Sequence, residues 1–300
     1  WSEIGAQREA VTSKDDALDD VTVPSEHLPL AVDILSDTVL RPAFNQIDID
    51  REKKVILEEI KMVEDTPDDL VHELFTQACW EGHPLGRPIL GTKDSVEALT
   101  QQRLRGHFAG AYAAENVIIS AAGNIEHAAV REALEKAFGS MPSSGTRQSM
   151  APPPGVPQVA VRAKGAEQRA ASLGARRPQQ PPRGPHASYV PNTILGGSMS
   201  SRLFQNIREK RGLCYSVFSG INAYRDAGSL TVYAGCANEA VGEVIDLTVE
   251  EMKIIKQTPV ADSELRRAKD HLKGSVMLSL ENTASRMSHL ARQEIYFDKQ

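Results

Sequence analysis

The chain repeats itself, and that restricts the folds open to it. Val32-Asp33-Ile34-Leu35 is matched by Ile245-Asp246-Leu247-Thr248, and Glu64-Asp65-Thr66 by Glu281-Asn282-Thr283. The period is roughly 215 residues, with loops of different length between the matched segments. Each copy runs amphipathic helix, proline-containing loop, charged helix, capped helix. Its 300 residues are ample for two domains of about 150 residues, each with its own core. Residues 140–157, SMPSSGTRQSMAPPPGVP, are too rich in Ser, Gly and Pro to pack a core, so the boundary is expected near 150, giving domains 1–150 and 151–300. A second proline-rich patch, residues 175–185, reads as a surface loop. Helical runs alternate with strand candidates such as residues 116–122, NVIISAA. The expected class is therefore α/β (α+β), each half a mixed β-sheet packed with helices.

The charged helix of the first copy, predicted over residues 50–63 (DREKKVILEEIKMV), carries two acids on what reads as its apolar face. At about 100° per residue, Glu52 and Glu59 project within roughly 20° of each other. Val55, Ile56, Met62 and Val63 flank them, so neither is expected to point to open water, while Lys53, Lys54, Glu58 and Lys61 take the other side. A buried carboxylate is costly unless a cation or donors compensate it. Spacing alone leaves two readings open: ion pairs with a neighbouring element, or a metal ligand with a supporting acid. The second copy has Lys269 and Val276 at these positions. The scaffold is repeated and the acids are not, which points to a site rather than to the fold.

Bulk properties exclude several classes. A formal charge of −6 without a Lys/Arg block argues against nucleic-acid or membrane-surface partners, and no apolar stretch is long enough to span a membrane. Cys79, Cys214 and Cys236 lack CxxC spacing and fit buried thiols in a reducing compartment, so a cytoplasmic location is expected. Gly196-Gly197-Ser198-Met199-Ser200-Ser201 reads as a flexible turn and has neither a P-loop nor a dinucleotide-binding pattern. The chain opens on Trp1 and stops at Gln300 inside a helical pattern, and is expected to be a fragment of a longer protein.

REKKVILEEIKMVEDTPDDLVHELF, GHPLGRPILG and GGSMSSRLFQNIREKRGLCYSV together resemble the insulinase/pitrilysin family of zinc metallopeptidases, in particular its processing-peptidase β-like and bacterial members. The resemblance implies two homologous domains enclosing a substrate chamber, Zn2+ as cofactor, a peptide as substrate, and a homo- or heterodimer with a family member as one assembly. Carried over residue by residue, Glu59 resembles the third zinc ligand and Glu52 the catalytic acid seven residues before it. Arg208, and Tyr215 seven residues on, resemble the pair that reaches the substrate carbonyl and the developing oxyanion. By pattern alone the favoured reading is Arg208 as a helix-surface residue and Tyr215 as a strand core residue, and the intact motif turns it to the functional one.

The family's His-x-x-Glu-His motif is not among these residues: no two of the eight histidines (27, 72, 83, 107, 127, 186, 271 and 289) have that spacing. In the family it lies on the order of 75 residues before the Glu ligand, which falls upstream of Trp1. The strand that holds substrate in the family stands here as Glu9-Ala10-Val11-Thr12-Ser13, with Glu in place of Asn. The resemblance thus implies a zinc endopeptidase acting on oligopeptides or unfolded segments, inactive as these residues alone. The alternatives are a non-catalytic family subunit and a peptide-binding protein without zinc.

Overall fold

The structure, a computed structural model, describes residues 1–146, 151, 159–162, 168–177, 186–224 and 227–297. Most of the linker expected over 140–157 and of the proline-rich loop over 175–185 lies outside the described residues. The chain divides into two compact units. The first comprises Trp1–Glu58, Ile89–Met150 and Met277–Gln300; the second comprises Glu59–Pro88 and Ala151–Val276.

The repeat has a clear structural counterpart. In the first copy an antiparallel hairpin, β1 (Gln7–Thr12) and β2 (Ala17–Thr22), leads into α1 (Leu28–Leu40), α2 (Gln46–Asp65) and α3 (Pro67–Cys79). Four further elements follow as α4 (Lys93–Glu97), α5 (Gln101–Ala111), α6 (His127–Phe138) and β3 (Gln168–Arg177), and α7 spans His186–Leu195. The second copy then runs β4 (Cys214–Ala223), β5 (Gly228–Ala237), α8 (Val241–Gln257), α9 (Asp262–Ser279) and α10 (Thr283–Phe297). Hairpin, helix, helix, helix recurs in the same order.

Local chemistry accounts for the boundaries. Pro29 sits in the first turn of α1, where its missing N–H costs nothing, and Pro42 follows the helix end at Arg41. Pro67 opens α3 with Asp68 and Asp69 beside the positive end of the helix dipole. The Thr66 hydroxyl does not cap α3; it donates back to the Met62 carbonyl of α2 at 2.8 Å. α4 opens on a reciprocal cap between Thr92 and Ser95.

In the first unit the β1–β2 hairpin is largely exposed, and the helices bury Ala31 and Val32 of α1, Ile49 of α2 and Val130 of α6. Residues 117–120, expected as part of a strand, are not paired with one. Val117 has extended dihedrals, yet a strand needs a neighbour for its ladder. Ile118 and Ile119 are exposed, and the Ser120 hydroxyl donates to the Met287 carbonyl instead.

In the second unit the sheet order is β3-β5-β4, all antiparallel. The helix-and-sheet class is as expected, but every strand pairing among the described residues is antiparallel rather than mixed. One face of this sheet carries Val217, Val232, Ala234 and Cys236 into a core completed by Leu203, Ile207 and Val244 of α8. The other face carries Phe218 and its cross-strand partner Tyr233 against α3. The His72 ring stacks on Tyr233 at 5.3 Å, and the Tyr233 hydroxyl donates to Asp68 at 2.5 Å. Burial and that acceptor both push the Tyr233 phenol well above its usual range.

Leu203 and Ile207 are fully buried. Leu203→Ala should therefore cost about 3 kcal/mol, the usual penalty for a cavity at a packed leucine. Urea unfolding should show a lower midpoint at unchanged slope, and an unchanged midpoint would contradict the core described here.

Candidate active-site surfaces

The helix bearing the acids buries a different stripe from the one the sequence suggests. Ile49 is buried and Lys53, Ile56, Ile60 and Val63 are partly so, whereas Glu52, Val55, Glu59 and Met62 are exposed. The two acids sit roughly 70° around the helix from the centre of the buried stripe. The expectation that neither acid points to open water is thus corrected: in this chain both do. Lys53, expected on the solvent side, turns inward and donates to the carbonyls of Glu97 and Leu99 at 3.0 and 2.5 Å, the open carbonyls at the end of α4. Glu58 is also exposed, so burial does not separate it from Glu59.

Arg208 and Tyr215 are brought together. Residues 204–209 form a π-helical turn, an uncommon conformation that recurs at functional sites. Its inner side buries Leu203 and Ile207. Its flank is pinned by charge: Arg202 grips Glu264 of α9 through two hydrogen bonds of 2.8 and 2.7 Å, and Asn206 donates to Glu251 of α8, itself 3.9 Å from Arg202. The remaining direction carries Phe204 and Arg208 outward. Tyr215 follows at a β-bulge: the β4–β5 register shifts between Cys214 and Ser216, so Tyr215 has no cross-strand partner and is 81% exposed. A bulge re-aims a side chain in this way. The Arg208 guanidinium lies 4.7 Å over the Phe204 ring and 5.6 Å over the Tyr215 ring, favourable cation–π geometry. Among the described residues it has no acidic partner, so its N–H donors are free for an acceptor from outside.

These side chains line an open groove of about 510 Å³ between residues 196–199, the π-helical turn and residues 215–219. Glu52 and Glu59 do not line it. The two glycines at its rim are not there for flexibility. A Cβ on Gly196 would stand 2.5 Å from the Ser219 backbone nitrogen, and one on Gly197 2.9 Å from the Thr193 Cα. The close approach lets the Gly196 carbonyl accept from Ser219 N–H at 3.0 Å, while the Ser219 hydroxyl donates to the Asn192 side-chain oxygen at 2.8 Å. Sequence reasoning missed Phe204, Asn192 and Ser219; the unbroken GGSMSSRLF run was a signal for Phe204 alone.

The fit to zinc can be judged from the donors present. A catalytic zinc takes three protein ligands, and among the described residues no group of three or more His, Cys, Asp or Glu is placed to hold a metal ion. Glu59 is a single exposed carboxylate. The described residues do not by themselves make a zinc site.

A hairpin and three helices occur twice in the chain, with the acids on the first copy only. Residues 1–93 match the family model for insulinase (peptidase family M16), and residues 98–272 match the model for the peptidase M16 inactive domain. The uncharacterised zinc protease YmxG of Bacillus subtilis is 37% identical over 299 residues, which cover 100% of this chain and 73% of YmxG. An uncharacterised zinc protease of Mycobacterium tuberculosis is 36% identical over 302 residues, 99% of this chain and 69% of its own length. Among solved structures, a protease from Helicobacter pylori superposes with a TM-score of 0.87 at 20% identity, over 99% of this chain and 74% of its own. A peptidase M16 inactive domain from Pseudomonas fluorescens gives 0.82 at 23%, over 98% and 71% respectively. The chain belongs to the M16 insulinase family of peptidases.

The pinning of the π-helical turn is testable through pH. The Arg202 guanidinium holds the Glu264 carboxyl below its usual value, so the pair's contribution is fully present above about pH 4.3, the unfolded carboxylate value, and is lost as pH falls through the lowered folded one. Arg202→Met should destabilise by about 3 kcal/mol at pH 7, because it leaves a shielded carboxylate unpaired. The penalty should shrink in acid, as Glu264 takes up a proton. Urea titrations of both proteins at neutral and acid pH measure this, and a pH-independent difference would refute it.

Proposed function

We propose that this chain is the greater part of a zinc-dependent metalloendopeptidase that hydrolyses peptide bonds in oligopeptides or unfolded segments. The zinc-binding imidazoles and the general base come from residues outside these 300. The observation that carries the reading is the display of Arg208 and Tyr215 side by side at an open groove, one by a π-helical turn and the other by a β-bulge. Both distortions cost backbone regularity, and both serve to present a cation and a phenol outward. A guanidinium with free donors is suited to a peptide carbonyl, and its worth rises as negative charge develops on that oxygen.

On this reading Arg208 and Tyr215 bind the scissile peptide, Glu59 contributes a carboxylate ligand, and Glu52, seven residues earlier on the same helix, supports it. Glu59, together with imidazoles from outside these residues, would hold the zinc, which would supply a water of lowered pKa. The chain's own residues orient the peptide and receive the charge. Extended peptides bind such folds by adding a strand to a sheet edge. A homodimer or a heterodimer with a family member belongs to the same proposal. The names of YmxG and the mycobacterial relative support the zinc peptidase class.

A second reading, a peptide-capturing or partner subunit without zinc, is favoured by one observation: residues 98–272 match the model for the peptidase M16 inactive domain. Zinc stoichiometry and turnover of a quenched peptide by the full-length protein separate the two. One zinc per chain with turnover supports the enzyme, and neither supports the subunit. In that protein Glu59→Gln should weaken zinc binding by at least about tenfold while Glu58→Gln leaves it unchanged. Equal losses would show that the ligand is assigned to the wrong acid.

A further inference from the structure

β5 is in regular register with β3 along its whole length, so the hydrogen-bonding groups of its residues alternate strictly between its two neighbours. Val232 stands opposite Ser219 of β4, and the Ser219 N–H goes to the Gly196 carbonyl instead of β5. Val232 and Ser219 are thus a pair without mutual hydrogen bonds. Cys236 lies four residues further along β5 with the same parity, and its partner on β4 is Cys214. Two thiols therefore stand directly opposite each other in the pairing class that brings the strands' Cα atoms closest, about 4.5 Å. That separation lies inside the range of about 4.4–6.8 Å that a disulfide spans.

Their directions agree as well. Both are buried on the core side of the sheet, in one cluster with Leu203, Ile207, Val217 and Val232. These surroundings are apolar, so joining the two sulfurs leaves no polar group unpaired. The backbone can adjust at this place, because the bulge at Tyr215 follows Cys214 immediately and gives β4 one residue of slack. Access is from the start of β4, where Arg211 and Gly212 are exposed. Burial and the neighbouring Cys236 push the Cys214 thiol up to about 11, and the Arg208 charge opposes them. Its reactive thiolate is therefore scarce at neutral pH, and the pair rests as two thiols until a small oxidant reaches it.

We infer that Cys214 and Cys236 form an oxidation site, closing to a cross-strand disulfide when the chain meets a peroxide. The Cys214 thiolate attacks one peroxide oxygen and the O–O bond breaks. Cys214 becomes a sulfenic acid, and the departing hydroxide takes the proton released by the thiol and leaves as water. The Cys236 thiolate then attacks the Cys214 sulfur. The S–S bond forms, the S–O bond breaks, and a second water leaves. Each sulfur gives up one electron and the peroxide takes both. The bond ties the first residue of β4 to β5 beside the bulge, so the oxidised chain holds the strand that carries Tyr215 more firmly. Neither zinc nor peptide cleavage enters this inference.

The test treats the chain with hydrogen peroxide at pH 9, where more of each thiol is ionised than at neutral pH, then unfolds it and labels the remaining thiols with N-ethylmaleimide. Of the three cysteines, one should take the label, and the intact mass should show the loss of two hydrogens. The tryptic peptides holding Cys214 and Cys236 should appear as one linked species that dithiothreitol separates. The urea midpoint of the oxidised chain should lie above that of the reduced chain and return on reduction. In Cys214→Ala no link should form and the midpoint should not respond to peroxide. Three labelled cysteines, a link through Cys79 or between two chains, or Cys214 carried on to sulfinic acid with Cys236 still labelled would each overturn the site. A linked chain whose midpoint does not rise would overturn the firmer hold on β4.

Discussion

The bidentate ion pair between Arg202 and Glu264 decides what the second half of this chain can present. Both side chains are about four-fifths shielded, so neither charge could stay there alone. Arg202 also approaches Glu251, which holds Asn206, and three elements are fastened through one guanidinium. With Leu203 and Ile207 filling the core from the same segment, the π-helical turn has a fixed rotation about its axis. Arg208 faces out because every other direction is taken. The pair is thus a registration device more than a source of net stability, since desolvation offsets much of what its Coulomb attraction contributes.

The acids of the first half are governed by an opposite economy. α2 is pinned through the Ile49, Ile56 and Ile60 stripe and by Lys53 on the α4 carbonyls, which leaves Glu52 and Glu59 on a face with Val55 and Met62 that no described residue shields. The two carboxylates are hydrated there, and their spacing by two helical turns keeps them on one line. The second copy, with Lys269 and Val276 in place of the acids, shows that the repeat does not require them.

Much of this was legible beforehand where the physics is local. α1 and α6 follow from apolar periodicity, and α3 from Pro67-Asp68-Asp69, because proline and the charge at a helix start act within a turn. The repeat was legible because it needs only matched segments in the right order. The orientation of α2 was misjudged for a physical reason: two apolar stripes share that helix, and periodicity cannot say which one a neighbour will cover. Residues 117–120 failed as a strand because pairing is a property of two segments. The bulge at Tyr215 and the π-helical turn were invisible, since each is one residue of extra backbone that no side-chain pattern records.

That last point bears on how such a site arises. Arg208 and Tyr215 are seven apart, and a regular helix followed by a regular strand would set their directions by the periods 3.6 and 2. Here each element carries one irregularity, and the two together bring the guanidinium over the phenol ring at 5.6 Å. Gly196 tightens the same corner from the other side by letting its carbonyl reach Ser219. An irregular turn persists only where the surroundings over-determine it, and here they do: a shielded ion pair below, a packed core behind, and a glycine contact at the rim. The regular part of the fold could be repeated in the first half without any of this, which is why the two halves share a scaffold and not a surface.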